Sequence, residues 1–584
     1  MNSSFIPTTY EEIQARGWDY LDVILITGDS YIDSPFIGAA VIGRVLENAG
    51  FRVGIIAQPD TSSPDDITRL GEPHLFWGVT GGSIDSMVAN YNPSRFKRKK
   101  DDYTPGGLNN RRPDRAVIAY ANLIRRFFKN TRPIVLGGIE ASLRRVVHYD
   151  FWSDGLRRSI LFDAKADYLL YGMAEQSVLA LAQARQSGDD VTQLRGMCYI
   201  AKEAPSDYLE LPSYETVKTD RLAFIDSFHT FYQNNDPLTA KGLFQRHNDR
   251  LLVQNPPAYY PNQAEMDAIY ALPFQRAQHP YYEKMGPVKA LETIQFSIST
   301  HRGCYGECNF CAIAVHEGRT VRWRSPESIL AEAETITHLP GFKGYIQDVG
   351  GPTANMYGFE CTKKLKSGAC PEKRCLYPQV CPVLRPDHKA QIDLLSRIRQ
   401  IPGVKKVFVA SGIRYDMVLA DHGHGKAYME EIVNEHVSGQ LKIAPEHSED
   451  AILARMGKPG KSELVRFKKL FDDLTAEAGL DQYLTYYLIA AYPGCTESDM
   501  QKLKSFASQE LHISPEQVQI FTPTPSTYSS LMYYTELDPF TREPLFVEKD
   551  IVRRERQKMI VVDKPVRTGP PRYRPRPGTL VHKP

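Results

Sequence analysis

The chain has 584 residues, 42% of them hydrophobic and 24% charged, with a formal net charge of +2. That length exceeds one hydrophobic core and predicts two or three domains of ordinary globular composition. The near-neutral balance supplies no global basic field for nucleic acid. No run of about eighteen apolar residues is present to span a membrane, and the N-terminal segment lacks the basic start and apolar core of a secretion signal, so the expected location is cytoplasmic.

In chain order, residues 20–56 run strand, loop, helix, strand. LDVILIT is a buried strand, GDSYIDSP a turn, FIGAAVIGRVLENAG an apolar-faced helix ending at Gly50, and FRVGIIA a second strand. Further strands are expected at 116–120, 133–136 and 166–171, with helical patterns between them. Alternation of this kind predicts an α/β fold, here a Rossmann-like doubly wound sheet within residues 1–205, with ligands at the carboxyl ends of its strands. Residues 206–290 show no clean alternation and contain NPPAYYPN and HPYYEKMGP, which predicts a Pro/Tyr-rich connector.

Alternation resumes in residues 291–560. Strands are expected from Thr293 (TIQFSIS), Lys343, Lys405, Gln440, Tyr483 and Val518, with helices near 326–337, 388–400, 426–437, 461–478 and 496–508. Six repeats are too few for a closed eight-fold barrel. Ser325, Pro326 and Glu327 form a helix start, as N-cap, first position and first-turn acid. Residues 561–584 are a basic, Pro-rich tail, expected to be disordered.

Seven of the nine cysteines lie between Cys304 and Cys381, with Cys198 and Cys495 outside. In a large cytosolic chain such clustering favours metal ligands or core thiols over disulfides. The sequence HRGCYGECNFCAIAVHEGR sets Cys304, Cys308 and Cys311 in a Cys-x3-Cys-x2-Cys spacing directly after a predicted strand. Three thiolates this close can reach three corners of an iron–sulfur cubane, and Gly303 and Gly306 let the backbone bend around it. Three ligands leave one iron open, which is what a catalytic metal needs. The bland alternatives are a zinc site or unrelated thiols, but zinc knuckles prefer paired Cys-x2-Cys units and four ligands.

This motif, with Phe310 before the third cysteine, resembles the signature of the radical S-adenosylmethionine superfamily. The resemblance implies a 4Fe-4S cluster on Cys304, Cys308 and Cys311 and S-adenosylmethionine on the open iron. It further implies reductive cleavage to a 5'-deoxyadenosyl radical, a six-fold partial barrel and Phe310 near the adenine. Gly350-Gly351 resembles the glycine pair that meets the cofactor's amino group, with Pro352 where many members carry Glu. Pro493-Gly494 resembles the turn after the fifth strand. Both pairs are equally compatible with ordinary turns. GDSYIDSPFIGAAVIGRVLE, DDYTPGG before RPDRA, GGIEASLRR and the Cys304 motif together resemble the YgiQ-type radical SAM family over most of residues 18–560. The resemblance carries cofactor and fold and leaves the substrate unknown. Methyl or methylthio transfer is a candidate reaction, and flavodoxin or ferredoxin a candidate electron donor.

A doubly wound domain before such a barrel also resembles the cobalamin-binding arrangement of many methyltransferases, and Gly137-Gly138 and ADYLLYGMAE fit it. The cobalt-ligating pattern there is Asp-x-His-x-x-Gly. The matching stretch is Asp33-Ser34-Pro35-Phe36-Ile37-Gly38, and proline has no nitrogen to offer a metal, so cobalamin is unlikely, with binding without a lower histidine as the alternative.

Cys361, Cys370, Cys375 and Cys381 form a second group spaced Cys-x8-Cys-x4-Cys-x5-Cys, a candidate second metal site, or simply packed thiols. His388 is a candidate extra ligand or a helix cap. Asp348, Glu446, His447 and Cys495 follow predicted strands and are expected at the barrel mouth. The basic run 95–100 is a solvated loop or a phosphate contact, which keeps nucleic acid open as a partner. A cluster scaffold that binds RNA or a protein without turnover is therefore the alternative to an enzyme.

Overall fold

The computed structural model describes residues 5–562, apart from 372, 373, 516 and 517. The basic tail expected at 561–584 lies, from residue 563 onward, outside the described residues. Among the described residues, no helix is long and apolar enough to cross a membrane.

The first half is built on one nine-stranded sheet. Its parallel part comprises β1 (Val23–Thr27), β2 (Val53–Ala57), β3 (Phe76–Thr80), β4 (Ile134–Gly137) and β5 (Tyr168–Leu170), in the order β5-β4-β3-β1-β2. VILIT and VGIIA are buried at every position, the mark of strands covered on both faces. Helices Gly38–Asn48 and Glu175–Ser187 pack together on this sheet.

Two expectations change here. Residues 116–120 belong to a helix, Ala116–Phe127, not a strand. The apolar run AVIAY continues with a helical period, and Ala116, Val117, Tyr120, Ala121, Leu123 and Ile124 are all buried on one side. The 206–290 segment does more than connect. After β6 (Met197–Ala201), the strands β7 (Leu209–Leu211), β8 (Leu243–His247) and β9 (Arg250–Gln254) extend the same sheet as β7-β8-β9-β6-β5.

The second half contains six parallel strand positions in sequential order. Ser297–Ser299 pairs with Asp348–Gly350, and Tyr345–Ile346 with Lys406–Val407. A bridge joins Ile413 to Ile443, and Gln440–Glu446, Tyr483–Ala490 and Val518–Ile520 close the series. Tyr483–Ala490 alternates its burial strictly, one face to the helices and one to the lumen. The intervening helices include Pro326–Thr337, Lys389–Arg399, Lys461–Glu477 and Glu497–Gln509. Ser325 caps the first by accepting a hydrogen bond from Ser328 N. The fold is thus a Rossmann-like domain followed by a six-fold partial barrel, as the alternation and the resemblance together predicted.

Candidate functional site

The carboxyl ends of the two strand systems face one another. A cavity of about 560 Å³ lies between them. On one side are Asp29, Gly82, Gly137, Gly138 and Gly172 after the sheet strands, with Pro35 and Phe36; on the other are Ser299, His301, Arg302, Asp348, Gly350 and Gly351 of the barrel mouth. In both architectures this edge is where ligands bind. A branch of the cavity runs between Leu25, Gly78 and Val135 of the sheet and Val41 and Ile42 of the helix above it.

Arg302 crosses the divide. Its guanidinium pairs with Glu175 of the N-terminal domain, and its Nε donates to Tyr270 Oη at 3.1 Å. The next residue, Gly303, takes φ +81° and donates its N–H to Glu317 Oε2 at 2.9 Å. The chain then turns through the cysteine loop.

That loop is fastened at both flanks. Glu307 sits with its backbone in the left-handed region, its carboxylate buried beside Arg319 (3.4 Å) and Lys364 (3.6 Å) and accepting from Tyr232 Oη. Asn309 donates through its backbone N–H to Met456 O and through Nδ2 to Arg455 O. Between these anchors Gly306 lies against the thiols. A Cβ there would stand 3.3 Å from Cys304 Sγ, 3.6 Å from Cys308 Sγ and 3.1 Å from Arg414 Nη1. Gly306 N donates to Cys304 Sγ at 3.3 Å, and Arg414 Nη1 to Cys308 Sγ at 3.5 Å.

Burial, then the neighbouring Cys308, pushes the thiols of Cys304 and Cys311 above the ordinary range. Bare, they are neutral; as ligands they must lose their protons, and a metal supplies the charge to make that favourable. Among the described residues, only Asp387, Asp421 and His424 bring three ligand atoms within 4.8 Å of one another, the spacing one ion requires.

The other expected residues divide. Gly350, Gly351, Pro352 and Asp348 line the cavity. Gly351 is sterically required, because a Cβ would lie 2.6 Å from His301 Nε2. Asp348 fixes the next loop by accepting from the N–H groups of Ala410 and Ser411. Phe310 packs half-buried, edge-on to Tyr492 at 6.5 Å between centroids. Glu446 is buried 3.8 Å from Lys458 Nζ, and His447 Nε2 meets Cys495 Sγ at 3.6 Å. Burial holds that imidazole neutral, its pKa lowered to about 4, and drives the thiol up to about 12, so the pair is not an ionised nucleophile. His388 is committed to Asp421 and Asn355.

In the second group, Cys361, Cys375 and Cys381 join a small apolar cluster with Tyr305, Met356, Leu376 and Met417, and Cys370 is not part of it. Lys364 Nζ donates to Cys375 Sγ at 3.5 Å. In the basic run, Arg95 is tied to Phe151 O, while the side chains of Lys97, Lys99 and Lys100 are exposed. Asp33 is consumed by a buried pair with Arg44.

Sequence inspection missed Arg302, Glu175, Arg414 and Asp416. Arg302 lies inside the cysteine motif and Glu175 ends the ADYLLYGMAE segment, but their pairing, like the approach of Arg414 to Cys308, is set by the fold.

Family models match the chain in series: Radical SAM N-terminal over residues 5–297, Radical SAM superfamily over 298–507, and a domain of unknown function (DUF3362) over 516–562. A UPF0313 protein of Fusobacterium nucleatum subsp. nucleatum is 58% identical over 561 residues, covering 96% of this chain and 99% of its own. A UPF0313 protein of Thermotoga maritima is 48% identical over 563 residues, with the same coverages. Among solved structures, the radical S-adenosylmethionine methyltransferase TsrM of Kitasatospora setae, bound to tryptophan and a cofactor analogue, superposes with a TM-score of 0.46 at 14% identity, over 87% of this chain and 75% of its own. OxsB, a cobalamin-dependent S-adenosylmethionine radical enzyme, gives 0.49 at 12% identity, over 90% and 56%.

Proposed function

We propose, from the premise that this chain belongs to the UPF0313 family within the radical S-adenosylmethionine superfamily, that Cys304, Cys308 and Cys311 hold a 4Fe-4S cluster on the loop between Arg302 and Ile313, two residues of the cavity wall. Family membership makes the chain a radical S-adenosylmethionine enzyme. The observation that carries the cluster assignment is the half-buried thiol loop folded around Gly306 at the ligand-binding end of the barrel. When bound, the cluster and S-adenosylmethionine supply a 5'-deoxyadenosyl radical. The chain's own residues do the rest. Gly350 and Gly351 line the cavity without side chains of their own, and the Arg302–Glu175 pair ties the two domains together beside it.

The substrate occupies the remainder of the cavity against the N-terminal sheet, and methyl or methylthio transfer is the chemistry to assay first. We assign the electron supply to a flavodoxin or ferredoxin and the location to the cytoplasm. Anaerobic reconstitution should give about four iron atoms per chain and reductive formation of 5'-deoxyadenosine. Failure to form it with a full cluster would overturn the assignment.

The N-terminal sheet serves as the cavity wall and holds no cobalamin. Pro35 stands in the histidine position and Asp33 is spent on Arg44. Loading with hydroxocobalamin tests this point; corrinoid absorption retained after gel filtration would reverse it.

A further inference from the structure

Arg414 is a buried cation, 6% exposed, behind the cysteine loop. Its fork is used in two directions. Nε donates to Asp416 Oδ1 at 2.8 Å and Nη2 to Asp416 Oδ2 at 2.5 Å, a bidentate pair. That leaves Nη1 pointing at Cys308 Sγ, 3.5 Å away. The approach depends on Gly306, whose missing side chain clears the path.

The backbone of Arg414 is held as firmly as its side chain. Its N–H donates to Asn355 Oδ1 at 2.8 Å, and its carbonyl accepts from Asn355 Nδ2 at 3.0 Å. The second Nδ2 proton goes to His388 Nε2, so the other ring nitrogen of His388 carries the proton it shares with Asp421. This chain of buried polar contacts runs from Asp421 to Cys308. Arg414 and Cys308 both lie behind the cavity lining, and Nη1 is aimed at the sulfur.

We propose that Arg414 is a positioning residue that sets the reduction potential of the cluster through its hydrogen bond to Cys308. This rests on the cluster assignment above. The electron comes from a low-potential donor of the flavodoxin or ferredoxin class and adds one negative charge to the cluster. No proton moves, because a guanidinium stays charged. A fixed cation and an N–H···S bond favour the more negative, reduced state, and hydrogen bonding to the sulfurs is a recognised determinant of such potentials. Asp416 opposes this with its own charge, while fixing the direction of Nη1.

The test is a potentiometric titration of the reconstituted full-length protein, followed by the electron paramagnetic resonance of the reduced cluster. Arg414→Gln should make reduction about tenfold less favourable, a shift of about 59 mV to more negative potential for one electron. Arg414→Lys, which keeps the charge but loses the fork, should fall between wild type and Gln. Asp416→Asn should shift the potential the opposite way. An unchanged potential in Arg414→Gln with a full iron complement overturns the proposal. Should that variant fail to hold a cluster, Asp416→Asn decides: a potential unchanged or lowered overturns it. The underlying assignment fails separately, if the wild-type signal does not respond to S-adenosylmethionine.

Discussion

Two cysteine-rich segments of this chain sit side by side and are built differently. In the Cys304 loop the spacing is short, a glycine lies between the thiols, and a buried cation reaches one sulfur. In the Cys361–Cys381 segment the spacing is wide, three thiols pack into an apolar cluster, and Lys364 takes up Cys375. They even share a wall, since Cys304 packs against that same cluster. Cysteine density therefore does not distinguish a ligand set from packing. What sets the first apart is its short spacing and the glycine between its sulfurs, since a cation stands 3.5 Å from one sulfur in both segments.

The largest expected effect breaks the first segment and spares the second. Replacing any of Cys304, Cys308 or Cys311 by Ala should lower iron from about four atoms per chain to near zero and abolish 5'-deoxyadenosine formation. Replacing Cys361, Cys370, Cys375 and Cys381 together should leave the iron count unchanged, because a thiol in an apolar cluster behaves as a small hydrophobe. A wild-type count near eight, falling to four in the quadruple variant, would erase the contrast and make the second segment an auxiliary cluster site.

The contrast was half legible in the sequence. Short spacing and adjacent glycines are local, and they marked the Cys304 loop. The six barrel repeats were equally legible, because amphipathic helices such as Lys461–Glu477 with strands such as Tyr483–Ala490 carry their own periods. Helix Ala116–Phe127 was misjudged because its first five residues, AVIAY, are as apolar as a buried strand. Strand Phe76–Thr80 was overlooked because Gly78 interrupts its apolar run and a glycine pair follows it at once. Arg414 was invisible for a different reason. It lies over a hundred positions from Cys308, and only the closure of the barrel brings them together.

Glycine substitutions probe the room around the ligands at a smaller scale. In Gly351→Ala the new methyl would overlap His301 Nε2 at 2.6 Å, and the buried imidazole could yield only by moving within the cavity wall it shares with Gly351. Overpacking of this kind costs about 1–3 kcal/mol, and affinity for S-adenosylmethionine should fall about tenfold, a loss of about 1.4 kcal/mol, measured by equilibrium dialysis. Gly306→Ala is milder, with contacts of 3.1 Å to Arg414 Nη1 and 3.3 Å to Cys304 Sγ. Cluster content should drop severalfold and partly recover in Gly306→Ala/Arg414→Gln, where the shorter amide side chain withdraws. No recovery would mean that the methyl collides with the cluster itself.

The smallest effect is in the pH dependence of thiol alkylation. Burial pushes the Cys375 thiol up to about 11, and Lys364 offsets part of that rise. The thiolate is the reactive form, and an unperturbed thiol titrates near 8.5. Around neutral pH the Cys375 thiolate should therefore be roughly two orders of magnitude scarcer than that of an unperturbed thiol. Its alkylation rate should still be climbing at about pH 10, where an ordinary thiol has levelled off. A metal on Cys375 would replace the proton and remove this climb. Iodoacetamide labelling of Cys375 across pH 7 to 10, read by mass spectrometry, separates the two cases. A rate that is flat with pH and rises when a chelator is added would show the second segment to be a ligand set after all.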